Sequence, residues 1–448
     1  MPQARLLDVQ AFLDAHPFSS FQWRVFALCF CVILLDGFDT AAIGYIAPSL
    51  MAEWGVGRAD LAPVLSAALF GLAFGALAAG PLADRFGRKR VLVGSVGVIG
   101  AACLASAFAG SLGALVAWRF ATGLGLGAAM PNAVTLMSEY CPTARRATLT
   151  NAMFCGFPLG AACGGFLAAW MIPAWGWRSV LLLGGVAPLV LALLLVLLLP
   201  ESVRYMVAKL HSAERIRAVL RRIGPEAAAA ADFTLAEAAP TQGAGINLVL
   251  SRPYLLGSAM LWLAYFMGLV IFYALVNWMP VLFRDAGLDA RNAALIAALF
   301  PLGGVGTIGF GWLMDRMNPN LVIAAGFALT AVAVWAIGQA VGNLGLLMAA
   351  VFLGGTLMNT AQSSLPALAA GFYPTQGRAT GVAWMLGLGR FGGIAGSFLV
   401  AELARRQLGF GAIFTVVAIP GLVAAAALLV KHAAQPAAGD MRAAALGH

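Results

Sequence analysis

Long apolar stretches separated by short polar segments run along the chain from residue 24 to residue 431. An apolar run of about 20 residues is long enough to cross a bilayer as an α-helix. Twelve such runs can be drawn, and each is predicted to be a transmembrane helix. Their approximate limits are residues 24–50, 61–81, 90–110, 112–137, 148–171, 178–199, 254–283, 292–314, 319–341, 343–370, 379–403 and 408–431. The pattern therefore predicts an all-α integral membrane protein.

The composition supports this class, because 62% of the 448 residues are hydrophobic and only 10% are charged. Soluble globular proteins carry about 25% charged residues. A soluble enzyme, a secreted disulfide scaffold and a disordered protein are excluded, since too little polar surface is available to cover the apolar groups. Residues 1–23 lack the basic start and apolar core of a cleavable signal, so the first predicted helix is expected to be retained as an anchor.

The net charge of +9 is accounted for by topology. Of the 27 Lys and Arg residues, 19 lie in segments on the N-terminal side of the predicted membrane, 6 lie on the other side and 2 lie inside the apolar runs. Because cytoplasmic segments carry the excess of Lys and Arg, both termini are predicted to be cytoplasmic. We expect a monomer with no nucleic-acid partner.

The cysteines and histidines favour neither a metal site nor a disulfide framework. All six cysteines lie in or at the edge of apolar runs without a Cys-x-x-Cys pair, and are interpreted as small core residues. The four histidines lie outside the predicted helices, so a proton carrier inside the membrane must be a carboxylate. No metal and no cofactor other than the proton as coupling ion is expected. No nucleophile–base pattern or phosphate loop indicates an enzyme.

Two sequence matches indicate an internal duplication. PTARRAT at 142–148 matches PTQGRAT at 374–380, and the Gly80, Asp84 and Arg85 pattern recurs at 311–316 with nearly the same offset. Six helices restore the orientation, so the repeats are predicted to be parallel, with a substrate site at their interface. The predicted domains are an N-terminal six-helix bundle at 1–199, a cytoplasmic central loop with short amphipathic helices at 200–253, and a C-terminal bundle at 254–448.

A set of charged residues at the predicted cytoplasmic ends of helices is interpreted as gating and conformational contacts. Asp84 can pair with a cation or a helix end, while Arg85 and Arg88 anchor the loop that follows the second helix. A solvated surface is the alternative for the residues that flank the later helices. The full set is Asp84, Arg85, Arg88, Glu139, Arg145, Asp315, Arg316 and Arg378.

Four charged residues are predicted to lie inside the membrane, where charge is unfavourable and marks function. Asp36 and Asp39 are three residues apart and share one face of the first helix. Crowding favours protonation of at least one of them, as proton coupling requires. An ion pair of either aspartate with Arg119 or Arg390 is the structural alternative. Arg119 is grouped with the coupling residues, and Arg390 is predicted to bind a substrate carboxylate.

Aromatic and amide residues of the seventh and tenth predicted helices are candidates to line a substrate cavity. Tyr and Trp are also common at membrane interfaces, so an interfacial position is the alternative for each aromatic residue of this set. The predicted substrate-binding residues, besides Arg390, are Trp262, Tyr265, Phe266, Asn277 and Gln362, and Tyr273, Trp278 and Asn359 are further candidates.

Several of these segments resemble known transporters. GPLADRFGRK at 80–89 resembles the signature of the major facilitator superfamily. LDGFDTAA at 35–42, RFATGLGLG at 119–127, PES at 200–202 and FYPTQGRATG at 372–381 resemble the aromatic acid:proton symporter family, and most closely its 4-hydroxybenzoate/protocatechuate type. The similarity covers nearly the whole chain. One departure is Asn320, which stands where those members have a histidine.

The resemblance implies a proton symporter of a bacterial inner membrane that takes up an aromatic acid, such as 4-hydroxybenzoate or protocatechuate, by alternating access. It also implies that Asp36, Asp39, Arg119, Asp84, Glu139, Asp315, Arg378 and Arg390 matter for transport. A transporter of another organic acid or a sugar is an alternative of the same class. A membrane chemoreceptor that binds the same acids without transporting them is an alternative of another class.

Overall fold

The computed structural model describes residues 6–230, 232–234, 245–306, 317–373 and 375–433. Within these ranges the chain is almost entirely helical. The α-helices in chain order are α1 Val9–Ala15, α2 Ser20–Trp54, α3 Arg58–Phe86, α4 Arg88–Ala107, α5 Leu112–Tyr140, α6 Arg146–Phe154, α7 Gly156–Trp175, α8 Arg178–Leu198, α9 Val203–Ala208, α10 Ala213–Leu220, α11 Gly245–Val249, α12 Arg252–Asp285, α13 Ala290–Leu302, α14 Pro319–Gln339, α15 Leu344–Phe372, α16 Thr375–Arg405 and α17 Phe410–Ala433.

Eleven helical segments in the described ranges are long and apolar enough to cross a membrane. They match eleven of the twelve predicted runs and extend several of them; α2, for example, has 35 residues. The predicted run 292–314 corresponds to the shorter helix α13 and a following 3₁₀ turn at Gly303–Gly306. Residues 307–314 of that run lie outside the described residues.

The fifth predicted run begins as two helices rather than one. Helix α6 ends at Phe154 and α7 starts at Gly156. Pro158 explains the break, because proline has no N–H to bond to the carbonyl of Phe154 and its ring would clash with that carbonyl. The helical ladder resumes where the Leu159 N–H donates to the Cys155 carbonyl at 3.3 Å.

By its internal contacts the chain divides into two units, and the first comprises Met1–Thr40, Phe70–Gly160 and Leu181–Ala239. Its core joins transmembrane helices to the N-terminal segment and the central loop. Val9 and Phe12 of α1 and Ile216 and Leu220 of α10 belong to the same buried cluster as residues of α2, α5 and α8. The short helix α10 agrees with the predicted amphipathic helix of the central loop.

A parallel strand pair inside this unit was not predicted. Strand β1, Leu6–Asp8, pairs with β2, Asp232–Thr234, with Leu7 opposite Phe233. Helix α1 begins directly after β1, at Val9. The Asp8 side chain caps that helix by accepting from the Ala11 N–H at 2.7 Å.

The loop between α3 and α4 is held by Glu201, which follows α8. The Oε1 atom of Glu201 accepts from the Lys89 N–H at 3.0 Å and from the Ser202 N–H at 2.9 Å. Gly87 in this loop has a φ of +98°, and a Cβ there would collide with the Glu201 carboxylate. A glycine is thus required both by backbone conformation and by space.

The second unit comprises Ala41–Leu69, Ala161–Val180 and Pro240–His448. Within it, parts of the first six transmembrane helices pack on helices of the second half of the chain. Gly44 lies against the carbonyl of Val276, and Arg58 forms an ion pair with Asp285. Glu53 accepts from the Trp177 indole at 2.6 Å.

Asn320 lies at the start of α14 in this unit and is buried. Its Oδ1 accepts from Lys431 Nζ at 2.8 Å, and that ammonium also lies 4.5 Å from the Phe372 ring centroid. The residue that departs from the family pattern therefore joins the start of α14 to the end of α17.

The Gly87 contact generates the first prediction. Gly87→Ala adds strain of about 1–3 kcal/mol, because a φ of +98° with a ψ of 152° is a backbone conformation essentially confined to glycine. The added methyl group also collides with Glu201, so the melting temperature of the purified protein in detergent should fall. Gly176→Ala is the matched control, because Gly176 has a φ of +75° with open space around it. An equal fall in melting temperature for Gly87→Ala and Gly176→Ala would contradict the role assigned to the Glu201 contact.

A second prediction concerns His16, whose Nε2 lies 2.9 Å from Glu226. The Phe12 carbonyl and then Glu226 raise the pKa of His16 above its usual 6.5, while the Glu226 N–H and then His16 lower the pKa of Glu226 below 4.5. The His16 contribution to stability is complete below pH 6.5 and is lost as the pH rises through the raised pKa; that of Glu226 is lost as the pH falls below 4.5.

We therefore expect His16→Gln to lower the melting temperature at pH 6 and to have less effect at pH 8.5. In the Glu226→Gln background this pH dependence should shrink. A melting difference that is the same at both pH values would show that the pair contributes no pH-dependent stability.

Candidate functional site

The two aspartates of α2 are buried inside the first unit. Asp36 and Asp39 are 3% and 1% exposed, as expected for residues that share one helix face. Asp36 accepts from the Thr40 hydroxyl at 3.4 Å. Gly37 between them lies directly against the carbonyl of Phe157, so α2 and α7 meet at backbone distance beside the carboxylates.

Arg119 of α5 pairs with Asp39. Its Nη1 donates to Oδ1 at 2.8 Å and its Nη2 to Oδ2 at 3.0 Å, and Nη2 also lies 3.3 Å from the Asp39 carbonyl. The arginine side chain is fully buried. This bidentate geometry is the strong form of a carboxylate–guanidinium contact. Of the pairings left open by the sequence, the one with Asp39 is therefore present.

The glycines of α5 bring that helix close to its neighbours. A Cβ at Gly127 would collide with the carbonyl of Leu72, and one at Gly125 would lie 2.7 Å from the carbonyl of Ser95. Helices α3 and α4 thus pack against the backbone of α5. This packing fixes the position from which Arg119 reaches α2.

Cys103 of α4 is a neighbour of the ion pair that the sequence did not single out. Its side chain is fully buried, and its Sγ donates to the Leu181 carbonyl at 3.5 Å. The thiol also lies beside the Asp39 carboxylate and the Arg119 guanidinium. No pattern in the sequence distinguishes this cysteine from the five others.

A second cluster lies in the second unit, where α12, α15 and α16 meet. Gln362 Nε2 donates to the Tyr265 carbonyl at 3.2 Å, and Arg390 lies near the Tyr265 ring. Gly389 lies against that ring and Gly392 against the carbonyl of Phe266. In the described part of the chain, Gln362 Oε1 is buried without a hydrogen-bond partner. The cluster therefore offers one cation and one buried acceptor among aromatic rings.

The other predicted lining residues have mixed surroundings. Trp262 is half-buried and stacks on Trp384 with ring centroids 5.8 Å apart. Asn277 is buried and donates to the Ser397 hydroxyl at 2.8 Å, and the Trp278 indole donates to the Ser397 carbonyl at 2.9 Å. Asn277 and Trp278 thus join α12 to α16.

The predicted gating residues divide into a paired group and an exposed group. Arg88 Nε lies 3.6 Å from Glu139 Oε1, and its Nη1 donates to the Ala83 carbonyl at 3.2 Å. The side chains of Arg85 and Arg145 are exposed, which favours the solvated-surface alternative for Arg145. Asp315 and Arg316 lie outside the described residues, as do the side chains of Asp84 and Arg378.

The buried ion pair generates a third prediction. Asp39→Asn or Arg119→Gln leaves one buried charge without its partner, which destabilises a protein by about 3–5 kcal/mol. The double variant removes both charges, so its loss of melting temperature should be smaller than the sum of the two single losses. Arg145→Gln is the exposed control and should melt like the wild type. Additive losses would contradict direct coupling between Asp39 and Arg119.

Similar proteins are known over nearly the whole length of the chain. The profile of the Major Facilitator Superfamily matches residues 29–337. The chain is 51% identical to the 4-hydroxybenzoate transporter PcaK of Pseudomonas aeruginosa, over 96% of this chain and 97% of that protein. It is 46% identical to a gallate transporter of Pseudomonas putida, over 95% of each.

Among solved structures, an inward-open form of the xylose transporter XylE from E. coli matches with a TM-score of 0.72 and 17% identity, over 90% of this chain and 95% of that one. At this identity the likeness shows the fold alone. Together with the family match, it establishes that the chain belongs to the Major Facilitator Superfamily.

Proposed function

We propose that the protein is a secondary active transporter that takes up a hydroxylated aromatic acid, such as 4-hydroxybenzoate or protocatechuate, by proton symport. The observation that carries the proposal is the 51% identity to a 4-hydroxybenzoate transporter along nearly the full length of both chains. Gallate is a second candidate substrate, favoured by the 46% identity to a gallate transporter. Transport without chemical conversion fits a chain whose relatives are transporters.

The proposed architecture has twelve transmembrane helices in two pseudo-symmetric six-helix bundles, residues 1–199 and 254–448, joined by a cytoplasmic loop at 200–253. We propose a monomer in the bacterial inner membrane with both termini in the cytoplasm. The excess of Lys and Arg on one side of the predicted membrane and the matching motifs in the two halves support this arrangement.

Asp36, Asp39 and Arg119 are proposed as the proton-coupling group, with the proton as coupling ion and no further cofactor. The bidentate pair links α2 to α5 only while Asp39 is ionised. Protonation of Asp39 removes the charge that Arg119 binds and so provides a switch between two arrangements of these helices. Asp36, buried one turn earlier, is a second carboxylate in reach of the same proton path.

The number of protons that move with each substrate anion determines which energy source drives uptake. One proton moving with one monoanion transfers no net charge, so only the pH gradient drives accumulation. With a second proton, uptake transfers net charge and is also driven by the membrane potential. That potential contributes about 2.3 kcal/mol for each elementary charge moved through 100 mV. The presence of two buried aspartates is compatible with either ratio.

Substrate binding is proposed at the Tyr265, Gln362 and Arg390 cluster. The guanidinium of Arg390 has the shape and charge to bind a carboxylate through two hydrogen bonds. Trp262, Tyr265 and Phe266 supply apolar surface for the ring, and Gln362 Oε1 is an acceptor for a ring hydroxyl. Asn277 is proposed to support this wall through its bond to Ser397.

Gating is proposed for the charged residues at the helix ends predicted to be cytoplasmic. The contact of Arg88 with Glu139 supports this role most directly, since it joins the start of α4 to the end of α5. Asp84, Arg85, Asp315, Arg316 and Arg378 complete the proposed gating set, whereas the exposure of Arg145 favours a solvated surface for that residue.

Uptake of labelled 4-hydroxybenzoate into proteoliposomes tests the proposal. We expect accumulation when the outside is made acidic, abolition by a protonophore, and competition by protocatechuate and gallate. Asp39→Asn should lose accumulation because the switch can no longer be protonated and released. Binding of the acid without any uptake would instead favour a chemoreceptor.

The proposed carboxylate site has its own test. Arg390→Lys keeps the charge and loses the two-pronged geometry, so KM for uptake should rise about tenfold or more, equivalent to about 1.4 kcal/mol. Arg405→Lys is a matched control at the exposed end of the same helix. An unchanged KM for Arg390→Lys would remove this residue from the substrate site.

A further inference from the structure

Cys103 is a buried polar group next to the proposed coupling pair for which the mechanism so far has no role. Its Sγ lies between the backbone of α8, where the Leu181 carbonyl accepts from it at 3.5 Å, and the charged pair of Asp39 and Arg119. Gly184 of α8 leaves the necessary space, since a Cβ there would lie 3.0 Å from the sulfur.

The surroundings of Asp39 contain few other polar groups. In the described part of the chain, the charged and titratable groups that face this carboxylate are Asp36 from its own helix, Arg119 from α5 and Cys103 from α4. Arg119 uses Nη1 and Nη2 for Asp39, while its buried Nε has no partner among the described residues. Apart from the arginine, the thiol is a donor that lies beside the coupling carboxylate.

We propose that Cys103 is a positioning residue that sets the proton affinity of the coupling pair. This role rests on the proposed symport function. The S–H group is a weak donor that lies within reach of both the Leu181 carbonyl and the Asp39 carboxylate. It therefore stabilises ionised Asp39 less than a hydroxyl would, and the carboxylate remains able to take up a proton and release Arg119 during each cycle.

Substitution of Cys103 should change the balance between protonated and ionised Asp39, in a direction set by the strength of the hydrogen-bond donor at residue 103. In Cys103→Ser, the hydroxyl is a stronger donor that favours ionised, Arg119-bound Asp39, so a more acidic outside is needed for uptake. In Cys103→Ala, no donor remains and uptake should reach half its maximal rate at a higher pH. A side chain that only fills space would not shift the two variants in opposite directions, since both replacements are smaller than cysteine.

The test is the initial rate of 4-hydroxybenzoate uptake by proteoliposomes as a function of outside pH, with the inside pH held constant. We expect the midpoint to move by about half a pH unit or more, to lower pH in Cys103→Ser and to higher pH in Cys103→Ala. Counterflow at saturating substrate and equal pH, which needs no net proton release, should stay within about twofold of wild type. Cys31→Ser is the matched control, an exposed cysteine on the same helix as Asp39.

Midpoints that equal the wild-type value, or that move in the same direction in both variants, would overturn the role of Cys103. If these variants fail to fold, Cys103→Thr and Cys103→Val make the same comparison, because they differ in the hydroxyl while sharing a branched shape. Wild-type protein that shows no uptake would overturn the symport function and this inference together. Wild-type uptake with unshifted variants would overturn this inference alone.

Discussion

The ion pair between Asp39 and Arg119 is the contact on which the first unit depends. A charged side chain at the centre of a membrane helix costs about 2.5–3.5 kcal/mol even on insertion scales, and both of these side chains are buried. Pairing makes the charges tolerable only if α5 approaches α2 closely and stays aligned with it. The glycines of α5 let that helix pack closely on α3 and α4, and Gly37 lets α2 pack closely on α7, so the positions of both partners are fixed by their neighbours.

The second unit handles its buried polar groups differently. Asn277 and Trp278 are neutral and bond to one residue, Ser397, so they join two helices without a charge that could be switched. Arg390 is only half-buried, and no carboxylate among the described residues pairs with it. The ion pair of Asp39 and Arg119 can be broken by protonation of the carboxylate. The guanidinium of Arg390, held among aromatic rings, remains available to bind an anion. The two clusters thus have the chemistry needed for coupling and for substrate binding.

Much of this fold follows from the sequence because the bilayer imposes a length on apolar runs. The ends of the helices were harder to predict, since polar residues extend them: Gln22, in the first turn of α2, donates to the Tyr140 carbonyl at 2.7 Å. The pairing of β1 with β2 could not be predicted, because three-residue strands far apart in the chain carry no register signal. Both aspartates of α2 face the same way, so only the position of α5 selects Asp39 for Arg119. Cys103 was missed because a buried thiol looks like any small apolar residue.

The matching motifs in the two halves of the sequence align one junction with another of different chemistry. Lys89 and Asn320 are 231 residues apart, as are Glu201 and His432, close to the offsets of the repeated motifs. In the first unit, the carboxylate after α8 accepts from the backbone at the start of α4. In the second, Lys431 near the end of α17 donates to the side chain at the start of α14. In the first unit the donor lies at the start of the earlier helix, and in the second unit it lies near the end of the later helix. The amide acceptor at residue 320 is therefore matched to the lysine donor at 431. A histidine at 320 must present an unprotonated ring nitrogen to the same ammonium, which makes the choice of residue at 320 depend on residue 431 as well as on substrate.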